Sequence, residues 1–136
     1  MNEPDWQRLE RAARAAAANA HCPYSRFAVG AAVLTTDGAI AAGCNVENAS
    51  FGLTICAERN AIFRAVGDGA KAIVAVAIYT PTTTPAMPCG ACRQVIAEFG
   101  RDAVVRSVCD GPVHVQYTLA ELLPSAFTLP TSGSEQ

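Results

Sequence analysis

Two short clusters, Cys56-Ala57-Glu58 and Pro88-Cys89-Gly90-Ala91-Cys92, lie far apart along the chain, and each opens a stretch of helical periodicity. Ala57, Ala61, Ile62 and Ala65 recur at helical spacing after the first cluster; Cys92, Val95, Ile96 and Phe99 do so after the second. A fold for this chain therefore has to accommodate two helices that start on cysteine.

The remaining pattern supplies the frame. Residues 4–20 read as an amphipathic helix, with Trp6, Leu9, Ala13 and Ala16 on one side and Arg8, Arg11 and Arg14 elsewhere on the wheel. Pro4 suits its first turn, and Cys22-Pro23 ends it. Residues 28–35 and 39–46 read as strands joined at Asp37-Gly38, a hairpin signal. Ile73–Tyr79 is an apolar run of strand length, expected to be buried on both faces. Val104–Cys109 and Val113–Tyr117 are two further strands around Asp110-Gly111-Pro112. Thr118-Leu119-Ala120-Glu121 has the form of a capping box and starts a short helix that stops before Pro124. The last seven residues, 130–136, are polar and read as a frayed tail.

The order α-β-β-α-β-α-β-β-α fits an α/β fold, a three-layer α-β-α sandwich around one mixed five-stranded sheet, in a single domain spanning 1–136. Both cysteine clusters then fall where loops run into helix starts, at one edge of the sheet where open α/β folds place ligands.

Cys89-x-x-Cys92 by itself suits either a metal or a redox disulfide, and Cys89-Gly90-Ala91-Cys92 resembles a thioredoxin active site. Cys56 breaks the tie. Three thiolates hold zinc and leave a fourth position open for water, and Glu58, two residues from a ligand, is placed to move protons. A redox reading leaves Cys56 and Glu58 without a role, and a purely structural zinc module needs a fourth protein ligand. Three thiolates on Zn²⁺ carry a net negative charge. Two helix N-termini offset part of it, and Arg59 is expected to donate to a ligand sulfur. Cys22, Cys44 and Cys109 read as small core residues, and His21 and His114 have no ligand partner at metal spacing.

Composition narrows the partners. Only 16% of residues are charged, against about 25% in an ordinary soluble domain, which points to surface covered by other subunits. The net charge is -2, and the ten Lys and Arg residues form no basic stripe, so a nucleic acid strand is not the expected partner. No stretch is long and apolar enough to span a membrane. Glu3, Asp5 and Glu10 are wrong for the basic start of a signal peptide, so a cytoplasmic location with reduced thiols is expected.

Cys56-Ala57-Glu58-Arg59 together with Pro88-Cys89-Gly90-Ala91-Cys92-Arg93-Gln94 resembles the signature of cytidine deaminases, specifically the small homotetrameric class with three cysteines on zinc. The resemblance runs from Tyr24-Ser25-Arg26-Phe27 through Glu121-Leu122-Leu123-Pro124. It implies one zinc per chain on Cys56, Cys89 and Cys92, with Glu58 as the proton-transfer residue. The implied activity is hydrolytic deamination of cytidine and 2′-deoxycytidine to the uridine nucleosides with release of ammonia, in pyrimidine salvage. Gly43-Cys44-Asn45-Val46-Glu47-Asn48 resembles the family's ribose-binding segment, so Asn45 and Glu47 are implied partners of the sugar 3′-hydroxyl. Phe27 is implied to pack on the pyrimidine and Ala57 to present its backbone to the base. Phe127 is implied to enter the pocket of a neighbouring subunit. The chain departs from the family at Met87, where serine is frequent, and in the Pro- and Thr-rich loop 80–87. An intact Asn45–Glu47 pair favours an ordinary ribose over blasticidin S, the substrate of a related deaminase.

Overall fold

The computed structural model describes residues 3–131; the part of the expected tail from 132 to 136 lies outside them. A five-stranded mixed sheet runs in the order β2-β1-β3-β4-β5. Its strands are β1 (Gly30–Thr35), β2 (Ile40–Cys44), β3 (Ile73–Tyr79), β4 (Val104–Val108) and β5 (Val115–Thr118). β1 is antiparallel to both β2 and β3, β3 is parallel to β4, and β4 is antiparallel to β5. The parallel pair requires a crossover, which α3 (Gly90–Phe99) supplies. α2 (Ala57–Gly67) connects β2 to β3 in the same way.

Strand pleating sorts successive residues onto opposite faces. Ala31, Val33, Val76, Ile78 and Val105 join a core with Ala61 and Ile62 of α2 and Ile96 of α3. Ala32, Ala75 and Ala77 face the other way, against Trp6, Leu9 and Ala13 of α1 (Trp6–Ala17). One helix thus covers one face and the cysteine-led helices cover the other, the α-β-α layering expected from the element order. β3 is central and apolar throughout because both faces are covered.

Small residues in β1 and β2 let the helices come close. A Cβ built on Gly43 would lie 2.5 Å from the Ala61 amide nitrogen, so β2 and α2 approach at a distance only glycine permits. This contact fixes the height of α2 above the sheet, and with it the position of Cys56 at its start.

The first helix is shorter than its periodicity predicts. Asp5 caps it, accepting from the Arg8 amide at 3.2 Å, so Pro4 precedes the helix and does not sit in its first turn. At the other end the Asn19 and Ala20 amides reach back three residues to Ala16 and Ala17, and this tightened turn closes the helix well before Pro23. A 3-10 turn over Phe51–Leu53 has no counterpart in the sequence pattern. At the C-terminal end the capping box does form: Glu121 N donates to Thr118 Oγ1 at 3.2 Å, and Thr118 N donates to Glu121 Oε1 at 2.8 Å. It starts α4 (Leu119–Leu122).

Gly43→Ala is expected to cost about 1–3 kcal/mol, because the added methyl has to push α2 off the sheet. Gly52→Ala, where an added Cβ meets nothing within 4 Å, serves as the control. Equal denaturation midpoints for the two variants would show that this contact does not seat α2.

Candidate metal centre

Cys56 and Cys89 are the N-cap residues of α2 and α3, and Cys92 lies in the first turn of α3. Their three sulfur atoms fall within 4.8 Å of one another. The Cys56 and Cys89 sulfurs are 3.9 Å apart. Two sulfurs bound to one tetrahedral zinc at about 2.3 Å are separated by about 3.8 Å. The spacing therefore fits zinc, and the sulfur-only donor set suits that ion. Cys92 is buried, Cys56 half-buried and Cys89 exposed, so the cluster is closed from below and open on one side.

Positive potential converges on the sulfurs from three directions. α2 and α3 both begin at the cluster and direct their N-terminal dipoles at it. Arg59 Nη2 donates to Cys56 Sγ at 3.3 Å, while its Nε is buried without a hydrogen-bond partner. A guanidinium left partly unsatisfied beside sulfur is held there by charge. Hydrogen bonding from Cys92, followed by the bond and charge of Arg59, pulls the Cys56 thiol down to about 5. Donating that bond, together with burial and the Glu58 carboxylate, pushes Cys92 well above the usual thiol range. The Arg59 guanidinium is raised in turn, chiefly by its bond to Cys56. Negative charge is thus favoured on Cys56 and disfavoured on Cys92.

Glu58 is 5% exposed. Burial pushes its carboxyl up to about 7, and the negative Cys56 adds to the shift. Near neutral pH it is therefore divided between acid and carboxylate, the condition for both taking and giving a proton.

A cleft of about 230 Å³ opens over the cluster at the carboxyl end of β3, the middle strand. That is below the roughly 300–1,000 Å³ of ordinary ligand pockets, so it suits a small ligand. Cys56, Ala57, Glu58 and Cys89 line its inner end. Phe27, Asn45 and Glu47 also line it, and it adjoins an outer hollow bounded by Tyr24 and Phe51.

Asn45 and Glu47 are already engaged with the chain. Asn45 Oδ1 accepts from Val29 N at 2.9 Å, and its Nδ2 donates to Phe27 O at 2.8 Å. Glu47 Oε1 accepts from the Tyr24 and Ser25 amides at 3.0 and 3.1 Å, and Oε2 accepts from the Ser25 hydroxyl. The Ser25 bond leads the effects that hold the Glu47 carboxyl below its ordinary range. An amide offers two donors and two acceptor sites, and a carboxylate about four acceptor sites. Each side chain therefore retains spare capacity toward the cleft while fixing residues 24–29, including Phe27.

Phe127 does not line the cleft of its own chain. It is 68% exposed, and its carbonyl accepts from Gln94 Nε2 at 3.1 Å. Sequence reasoning does not assign Ser25, Thr54, Thr80 or Met87 to the site, yet all four line it. Tyr24-Ser25 beside Phe27 is the available signal for Ser25; the others lie on irregular segments whose pattern carries no periodicity.

Comparison with known proteins agrees with this geometry. The family described as the cytidine and deoxycytidylate deaminase zinc-binding region matches residues 4–108. A cytidine deaminase of Halalkalibacterium halodurans is 48% identical over 126 residues, 91% of this chain and 95% of that one. A cytidine deaminase of Mycobacterium tuberculosis is 45% identical over 129 residues, 95% of this chain and 94% of that one. The crystal structure of cytidine deaminase from Burkholderia pseudomallei superposes with a TM-score of 0.85 at 43% identity, covering 93% of this chain and all of that one.

The thiol electrostatics can be measured directly. In chelator-treated protein, alkylation of Cys56 followed by peptide mapping is expected to show a midpoint below that of an ordinary thiol. Arg59→Gln removes a stabilising charge from the thiolate, so the midpoint moves up, by about 1–3 units. An unmoved midpoint would show that Arg59 does not act on that sulfur.

Proposed function

Because the chain belongs to the cytidine and deoxycytidylate deaminase family, we propose that it hydrolyses cytidine and 2′-deoxycytidine to uridine and 2′-deoxyuridine, releasing ammonia, in pyrimidine salvage. The observation that carries this reading is a buried glutamate with a carboxyl near neutrality, beside three converging sulfurs at the inner end of a small cleft. One zinc per chain, held by Cys56, Cys89 and Cys92, supplies the Lewis acid that activates water toward the amine-bearing ring carbon.

The chain's own residues do the rest. Glu58 takes one proton from the attacking water on its carboxylate and delivers it to the ring nitrogen, then takes the second from the hydroxyl added to the ring carbon and delivers it to the departing amine. The product side balances as one uracil nucleoside and one ammonia for each water consumed. Arg59 and the two helix N-termini offset the negative charge of the sulfurs, which would otherwise make water harder to ionise. The Ala57 backbone and the Phe27 ring border the base. The spare acceptor site of Glu47 accepts a hydrogen bond from the sugar 3′-hydroxyl, and the spare N–H of Asn45 donates to the same oxygen. That pairing favours a ribose or deoxyribose substrate.

A homotetramer accounts for the apolar exposure. Phe51, Leu53, Phe127 and Leu129 are 74%, 64%, 68% and 71% exposed, in a chain with little surface charge. Phe127 then enters the cleft of a neighbouring subunit. Free thiols at all six cysteines suit a reducing cytoplasm, and no helix among the described residues is long and apolar enough to cross a membrane.

Three outcomes test the proposal. An ultraviolet assay of the purified protein on cytidine should show turnover that a strong chelator abolishes and added zinc restores. Glu58→Gln should lower kcat by about 10²–10⁴-fold with one zinc per chain retained; full activity in that variant would remove the proton-transfer role. Activity on blasticidin S far above that on cytidine would overturn the substrate assignment.

A further inference from the structure

The cleft has a second wall, formed by the loop between β3 and α3. Thr80, Ala86 and Met87 of this loop line the cleft, and Met87 stands two residues before Cys89, at the metal end. The loop carries little regular structure to hold it in place. It is held from behind by the turn that follows β4. The Asp110 amide donates to Thr82 O at 2.9 Å, and Thr80 N donates to Val108 O at 3.3 Å. Beside them the two backbones touch: a Cβ built on Gly111 would collide with the Thr83 carbonyl oxygen. Only glycine allows that approach.

The turn is itself fixed by the opposite face of the sheet. Tyr79, the last residue of β3, donates its hydroxyl to Asp110 Oδ1 at 2.6 Å. Arg14 of α1 donates to the Cys109 carbonyl at 3.0 Å and to Asp110 Oδ1 at 3.4 Å, with its guanidinium 4.4 Å over the Tyr79 ring. None of these residues lines the cleft. Together they tie α1, β3 and the post-β4 turn to the back of the loop, and they lie apart from the sugar side, where Asn45 and Glu47 hold residues 24–29.

We propose that the Asp110–Gly111 turn, braced by Arg14 and Tyr79, is a positioning element that sets the loop wall of the cleft and thereby the room available around the substrate base. The proposal rests on the deaminase reading. It distinguishes two independently supported walls: residues 24–29, which carry Phe27 and the sugar-side contacts, and the 80–88 loop, which closes the cleft at the metal end beside the reacting part of the base.

Gly111→Ala displaces Thr83 and moves the loop without altering any residue that touches substrate. Its readout is a pair of selectivities, each a quotient of two kcat/KM values. The selectivity between 5-methylcytidine and cytidine probes space beside the reacting carbon, and it should change by at least about fivefold. The selectivity between 2′-deoxycytidine and cytidine should stay within about twofold, and zinc should remain at one per chain. Tyr79→Phe removes only the hydroxyl that holds Asp110 and leaves the backbone alone; it should shift the base selectivity in the same direction by a smaller factor, and it serves if Gly111→Ala does not fold. Amide hydrogen exchange gives a readout independent of turnover: residues 80–88 should exchange faster in both variants while residues 24–29 do not. Equal changes in both selectivities, unchanged selectivities, loss of zinc, or unaltered exchange in the loop would each overturn the proposal. A wild-type protein inactive on cytidine would instead refute the deaminase reading, and the exchange experiment would still decide whether the turn braces the loop.

Discussion

Three sulfur atoms within 4.8 Å cannot all be ionised without compensation, and the fold around them is arranged to supply it. Two helices start on the cluster, and a guanidinium donates to its most acidic member. The result favours negative charge on Cys56 and disfavours it on Cys92. A divalent cation held by Cys56, Cys89 and Cys92 would supply a larger positive charge to the same sulfurs and would displace their protons. Metal affinity and proton release are thereby coupled through residues already poised for the exchange. Burial, with the negative charge of Cys56 adding to it, lifts Glu58 toward neutrality, so the sulfur cluster and the carboxyl beside it are tuned by one electrostatic arrangement.

That arrangement depends on how closely two helices approach each other and the sheet. The alanines and glycines of β1 and β2 are the means. Gly43 lets α2 settle onto β2, and Ala31 and Ala32 keep the two faces of β1 shallow. Larger side chains there would lift α2 away from α3 and separate Cys56 from Cys89, since packed interiors absorb added volume by moving backbone. The alanine-rich composition is thus part of how the metal-site spacing is achieved.

Much of this is readable in the chain because local chemistry and tertiary role agree. β3 has the expected boundaries because a strand buried on both faces needs a continuous apolar run. Cys56 and Cys89 mark helix starts, and Thr118 with Glu121 forms the capping box its spacing implies. The misreadings have equally definite causes. Asp5 outcompetes Pro4 for the start of α1, because a carboxylate can satisfy an orphan amide and a proline ring cannot. What the sequence leaves out of Asn45 is a second task, not a wrong one: its amide bridges Phe27 and Val29, sixteen residues and more away. The sequence marks loop 80–87 as distinctive but does not show what holds it. Thr80 and Met87 lie on an irregular segment, and their place over the cleft is set by contacts with residues 108–111 that no periodicity encodes.

The low charge content and the outward position of Phe127 belong to one argument. A cleft of about 230 Å³ in a single chain is shallow for a nucleoside, and its outer hollow is bordered by the exposed rings of Tyr24 and Phe51, which meet edge to face at 5.9 Å. Exposed aromatics at the mouth of a cleft gain most when a second surface closes over them, because the same burial excludes water from the reacting groups. The Phe127 carbonyl is tied to Gln94, the second residue after Cys92, and Arg93 between them ties Pro88 O to Leu122 O at 2.8 and 2.9 Å. The segment that carries Phe127 is therefore anchored to the metal-bearing helix of its own chain while its ring remains free for another. Under the tetramer reading, assembly and metal geometry are linked mechanically: a shift of α3 at the metal would move the aromatic residue offered to the neighbour.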